Sequence, residues 1–149
     1  MGCMQAWDAI CARRNVRQYL PEPVSEDDLN RSALQELSTV WMGAGHIAAA
    51  AAAIALVIPV PPDERRKVID QYDVGQATMA MMIAATDLGI GTGHSSVGDQ
   101  DKARAILGVP DDHLVAYLLG VGYPADRPLV PIRKPNRRAF AEVVHYGRW

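Results

Sequence analysis

The stretch Gly75 to Gly89, "GQATMAMMIAATDLG", most constrains what this chain can fold into. It lies in a segment of helical character that runs from about Glu64 to Leu88, with an interruption expected near Asp73–Gly75. Its apolar residues fall on nearly every face, and a helix apolar all round is buried on every side. A chain of 149 residues has room for one hydrophobic core. A helix of this kind in so small a chain calls for a second subunit against it. Met79, Met81 and Met82 read as adaptable core or interface packing. Gly89 is the expected C-terminal stop.

Around this helix the pattern alternates. A helix is expected over residues 4–14, then an extended segment from Asn15 to Pro23, where Pro21 and Pro23 forbid helix. Ser25 and Asp28 resemble a capping box that opens a helix from Glu26 to Thr39. "WMGAGH" breaks that helix, and the alanine run after it reads as a small-residue helix. "IALVIPV", residues 54–60, is β-branched and closed by prolines, as a buried strand would be. "GIGTGHSSVGD" reads as a Gly/Ser loop. A short helix follows, capped by Asp99 and closed by Gly108. "HLVAYLLGVGY" is a second strong strand. "PADRPLVPIRKPNRR" is a basic, proline-rich arm, and "AFAEVVHYGRW" ends the chain as a short helix. The whole is read as one domain, residues 1–149, with 124–149 as an arm.

Composition removes several function classes. The net charge of −2 gives no bulk attraction to nucleic acid or to anionic membrane. The basic arm alone, without a reading helix or an aromatic platform, does not make a nucleic-acid binder. "IAAAAAAIALVIPV" is shorter than the ~20 residues a spanning helix needs. "MGCMQAWDAI" lacks the pattern of a signal peptide, and its "MGC" lacks the Ser or Thr of a myristoylation site. Cys3 and Cys11 lie about 12 Å apart on one straight helix, too far for a disulfide. A reducing cytoplasm is the expected setting. His46, His94, His113 and His145 have no ligand partner at helical spacing, so a metal site is not expected. His94 beside Ser95 and Ser96 lacks a nucleophile elbow, so no triad is expected either.

Two features remain. "CARRNVRQYLPEPVSEDDL" sets Arg13, Arg14 and Arg17 within five residues. Such a cluster is either a solvated helix end, where cations favour the dipole, or a socket for phosphate. Along an extended segment Asn15 and Arg17 share a face and could meet one ligand. Gly91 to Ser96 offers backbone N–H groups and hydroxyls to a polar cofactor edge, or is an ordinary loop.

Taken in order, four segments resemble the nitroreductase family of flavin enzymes. "ARRNVRQYLPEPVSEDDL" is similar to the family's N-terminal signature. "YDVGQATMAMMIAATDLGIGTG" resembles its central dimer-interface helix and the flavin-edge loop after it. "ILGVPDDHLVAYLLGVGYPADRP" resembles the strand that ends in "GYPA". "RKPNRRAFAEVVHYGRW" resembles the C-terminal arm. The resemblance covers nearly the whole chain. It implies an α+β, three-layer fold with a central, mainly antiparallel sheet flanked by helices. It also implies a homodimer that binds FMN between subunits, with the arm packed on the partner.

By motif position Arg13, Arg14, Asn15 and Arg17 would hold the ribityl chain and phosphate, with Asn15 in place of the family's Ser. Lys134 and Arg138, and less directly Arg137, would close on the phosphate. Gly93, His94, Ser95 and Ser96 would line the isoalloxazine. The implied activity passes electrons from NAD(P)H through the flavin to a small nitroaromatic or quinone acceptor, in a ping-pong cycle. The protein itself need supply no nucleophile. One family segment, P-S-x-x-N-x-Q-P-W, has no counterpart here, since the chain contains no N-x-Q. Its absence removes a few tens of residues, one strand and one wall of the flavin site. It opens the alternative of a shortened, non-catalytic dimeric scaffold that binds flavin weakly.

Overall fold

The computed structural model describes residues 6–21, 31–132 and 136–149. Cys3, Ser25, Asp28 and Lys134 lie outside them. In chain order the elements are α1 (Ala6–Ala12), α2 (Arg31–Leu37), a 3-10 turn (Gly45–Ala49), β1 (Ala52–Pro59), α3 (Glu64–Asp87), β2 (Gly91–Ser96), α4 (Gln100–Leu107), β3 (His113–Gly122) and α5 (Phe140–Val143). The three strands form one sheet in the order β1-β3-β2, antiparallel throughout. The α+β architecture inferred from the sequence is therefore present, with a short central sheet.

Caps set the helix ends where the sequence places them. The Asp63 side chain accepts from Arg66 N at 2.7 Å and starts α3. The Asp99 side chain accepts from Lys102 N at 3.0 Å and starts α4. Gly108, at φ 66°, ends α4 in the left-handed conformation that glycine tolerates best. α3 runs unbroken through Gly75, so the interruption expected near Asp73–Gly75 does not occur. The alanine run divides differently from expectation. Its first part is the 3-10 turn, and Ala52 and Ala53 already belong to β1, paired with Val121 and Gly120. Alanine's helix preference is small beside the gain of ladder bonds in a buried sheet.

The two faces of the sheet bury different cores. On one face Val115 and Leu118 of β3 pack with Leu34 and Leu37 of α2, Ile47 of the 3-10 turn and Ala103 of α4. On the other, Leu119 and Val121 pack with Met82 of α3. The pairing shifts between Leu56 and Val57, whose partners are Tyr117 and Val115. Ala116 is thus the extra residue of a bulge, and bulges re-aim neighbouring side chains.

The segment "GTGHSS" is not a loop. It is the edge strand β2, hydrogen-bonded along β3. Its glycines serve close approach. On its outer side Asn15 bridges Thr92 in parallel, and Val16 N donates to Thr92 O at 2.7 Å. A Cβ on Gly93 would stand 2.2 Å from Val16 O, and one on Gly91 2.9 Å from Val16 Cγ2. Tyr19 continues the seam. Its hydroxyl lies 3.0 Å from Val16 O and 3.2 Å from Gly120 O, so one O–H serves two carbonyls. A Cβ on Gly122 would stand 2.8 Å from Tyr19 Cδ1.

Gly93→Ala should therefore cost about 3 kcal/mol, because backbone rather than a flexible side chain must yield. Gly45→Ala, with nothing within 4 Å of the added Cβ, is the control and should leave stability unchanged or raised. Urea unfolding of both variants tests the seam. Equal midpoints would show that Val16 does not press on Gly93.

Candidate functional site

The seam fixes residues 15–20 as an extended segment beside the sheet, directly after α1, and the chain path then distributes the arginines. Arg13 enters a cavity of about 250 Å³ between α3 and the sheet, lined by Gln71, Gly75, Thr78, Met79, Met82, His94 and Tyr117. Asn15 and Arg17 line a separate cleft of about 380 Å³ with Gln18, Asp126 and Arg127. The two spaces are joined through one hydrogen bond. His94 Nδ1 lies 3.0 Å from Asn15 Oδ1. The carboxamide oxygen can only accept, so Nδ1 carries the proton and Nε2 of the neutral ring keeps its lone pair.

Charge reinforces that neutral form. Desolvation by burial lowers the His94 pKa first, and the cations Arg13 and Arg17 lower it further, with a contribution from His46. The ring also meets Tyr117 edge to face, with centroids 6.4 Å apart. On the other side of β2, His46 is buried and its Nε2–H donates to Gly93 O at 2.9 Å, which holds the strand carbonyl just before His94. Thr92, 1% exposed and two residues before His94 on the same side of the strand, has a hydroxyl with no hydrogen-bond partner among the described residues. A buried hydroxyl without a partner costs about 1–3 kcal/mol.

The residues proposed from the sequence thus separate. Arg13, Asn15, Arg17 and His94 come together. Arg14 turns away, its guanidinium donating to Val130 O and to Ala12 O, the latter at 3.2 Å, so it ties the arm to the end of α1. Gly93 is spent on the contact with Val16. Ser95 is buried, with its hydroxyl on Ser96 O at 3.0 Å, on the face opposite His94. Ser96 shares the His94 side of β2 and is exposed. Arg138 pairs with Glu142 at 3.3 Å within its own turn. Tyr117, Gln71, His46 and Arg127 were not singled out by sequence. Only register and chain path bring them here.

These features can be compared with known proteins. The sequence profile of the nitroreductase family matches residues 32–123. The chain belongs to the nitroreductase family. A search of curated proteins finds no significant match. Among solved structures, a hypothetical oxidoreductase from Bacillus subtilis superposes with a TM-score of 0.82 at 18% identity, over 98% of this chain and 75% of that one. A protein from Parabacteroides distasonis, given as a probable-function NADH dehydrogenase/NAD(P)H nitroreductase, superposes with a TM-score of 0.78 at 20% identity, over 98% and 99% of the two chains. An FMN-dependent nitroreductase from Clostridium difficile superposes with a TM-score of 0.74 at 16% identity, over 95% and 99%. At these identities the likeness shows the fold. The last two matches run nearly end to end on both chains. Among the described residues here, no strand intervenes between α2 and β1.

The electrostatic reading of His94 has a direct check. Its titration, followed by imidazole proton NMR, should fall below the ordinary value near 6.5. Arg13→Gln should move it upward. The unfolded chain then binds more protons than the folded one as pH falls through about 6.5, so this residue's contribution to stability is full above that pH and declines below it. An unshifted midpoint in both proteins would remove the cationic field from the site.

Proposed function

We propose that this chain is an FMN-dependent oxidoreductase, drawing on NAD(P)H and reducing a small nitroaromatic or quinone-type acceptor, and that it works as a homodimer. Family membership supports a flavin oxidoreductase in general. One observation carries the assignment to this site: a neutral imidazole, fixed by Asn15, stands between two spaces that each hold a guanidinium from the same segment.

The donor set suits FMN. Guanidinium forks recognise phosphate. The 250 Å³ cavity offers Met79, Met82 and Tyr117 to a flat apolar ring and Gln71 and Thr78 to its polar edge. When bound, FMN supplies the two-electron chemistry that no side chain here can supply. The protein's share is binding, orientation and field. Arg13 and Arg17 favour negative charge on whatever they hold, and they do so without reorganising. Asn15 keeps Nδ1 of His94 protonated, which leaves Nε2 as the acceptor.

The homodimer rests on α3. In a single copy only the stripe Asp70, Val74, Thr78, Met82 and Thr86 is buried. Val68, Ile69, Tyr72 and Met79 remain exposed. A helix that sequence reads as buried on every side therefore has uncovered faces in one chain. Exposed apolar area of this extent marks an interaction surface. Phe140, Val143, Tyr146 and Trp149 on the arm are also exposed, which suits an arm that packs on a partner.

Purified protein should show the visible flavin band after FMN is added, and anaerobic NADH or NADPH should bleach it. Arg13→Ala should weaken FMN binding about tenfold or more, the scale of a charge-assisted hydrogen bond. Protein that ignores FMN would favour the alternative, a scaffold without flavin chemistry. In light scattering, Val68→Glu with Tyr72→Glu should shift the mass toward a monomer, since two buried like charges per helix oppose association. An unchanged mass would place any dimer contact elsewhere.

A further inference from the structure

The sheet has two edges, and the chain treats them differently. At the β2 edge Asn15 bridges Thr92, and Val16 N donates to Thr92 O at 2.7 Å, so that side is closed. At the β1 edge no described residue bonds to the outward backbone groups. Val60 N donates to Asp112 O at 2.8 Å, toward β3. Strand alternation then sends the N–H and C=O groups of Ala53, Ala55 and Val57 outward. Edge strands of soluble proteins are ordinarily guarded by charge, shortness, a bulge or a covering segment. β1 runs for 8 residues, "AAIALVIP", without a charged or polar side chain. Ile54 and Val57 stay 41% and 40% exposed on it. We infer that β1 is a self-docking edge: two copies of the chain pair their β1 strands antiparallel about a two-fold axis at Ala55, which joins their sheets into one.

The occupant follows from the strand's own sequence. Small residues fill its first half, with Ala52, Ala53 and Ala55, and bulky ones fill its second, with Leu56, Val57 and Ile58. Antiparallel self-pairing sets the small half of one copy against the bulky half of the other, so facing positions interdigitate. A two-fold axis perpendicular to the sheet keeps each face continuous. On the face that packs with α3, Ala52 meets the partner's Ile58, and Ile54 meets the partner's Leu56. On the α2 face, Ala53 meets the partner's Val57, and Ala55 meets the partner's Ala55. The residues of this second set are the ones whose backbone groups point outward, so each pair exchanges both N–H···O bonds. Pro59 fits the register. It has no N–H, and it falls opposite the partner's Ala51, past the last of these pairs. An axis at Leu56 would set Pro59 against the partner's Ala53, inside the ladder, and forfeit a bond at each end. No charge faces its like across the contact, because β1 carries none. This edge is a different surface from the exposed faces of α3, so an assembly that uses both is a tetramer or a larger even multiple. Nothing in the inference depends on a flavin.

Light scattering on the natural chain and on Val57→Lys reads the contact. The lysine should halve the mass, because a charge on an edge strand opposes pairing. It should also halve the mass in the Val68→Glu, Tyr72→Glu background, which separates this edge from any contact through α3. Hydrogen exchange on the natural chain needs no variant and so holds even where the lysine prevents folding. At high concentration the amides of Ala53, Ala55 and Val57 should be protected. After dilution to a solution of lower mass they should exchange about tenfold faster or more, while those of Ile54 and Leu56, bonded to β3, keep their rate. A natural chain that is monomeric, or a folded Val57→Lys of unchanged mass, would overturn the inference. Outward amides that exchange freely at high concentration would overturn it too. Protection that persists in a monomeric solution would assign the cover to the chain itself, with the same consequence.

Discussion

The contact between residues 15–20 and the edge of the sheet is the constraint on which the site depends. Val16 and Tyr19 press against β2 and β3 at positions where only glycine leaves room. Complete burial of Val16 contributes about 2 kcal/mol, and the Val16 N–H to Thr92 O bond aligns the segment in register. The Tyr19 phenol completes the seam. Burial pushes its pKa upward, so it stays a neutral donor to two carbonyls. Without this seam the arginines would belong to a loose chain end. With it, each side chain has an assigned side.

That assignment converts a run of like charges into a divided site. Arg13 goes to one space and Arg17 to another, and Arg14 is turned back onto the arm. Repulsion between the two forward-facing guanidiniums is relieved by separation and by a neutral imidazole placed between them. The same arrangement makes His94 respond to its surroundings. Its protonation would add a third cation, which the local field opposes. The bulge at Ala116 brings Tyr117 to the lining of the Arg13 cavity, and of a larger space of about 570 Å³ beside the start of α3. Gln71 also lines both, so the two spaces are neighbours.

In a single copy, apolar surface on α3 and on the arm stays exposed. α3 uses one stripe for its own sheet and presents apolar side chains elsewhere. The arm begins as part of the fold, through its bonds to Gln18 and Arg14, and ends with aromatic residues that the chain does not cover. No helix among the described residues is long and apolar enough to cross a membrane. In the homodimer proposed above, a second copy would cover both surfaces.

Much of the fold was legible in the amino-acid order because its signals are local. Asp63 and Asp99 cap helices through bonds to residues three positions on, and the apolar run of β3 needs no distant information to be read as a strand. The family was legible for a related reason: four segments keep their order and spacing. What sequence misread depended on neighbours distant in the chain. "GTGHSS" looks like a loop because its glycines are scored for local flexibility, while their purpose is to admit Val16. The alanine run looks helical until β3 offers it a ladder. His46 and Arg127 carry no motif, and only the path of the chain puts them beside Gly93 and Arg17. Local chemistry determined the elements and which residue types could meet an anion. Tertiary packing decided which of three arginines line a cavity, because direction is set by backbone contacts spanning more than seventy residues of separation, as between Val16 and Thr92.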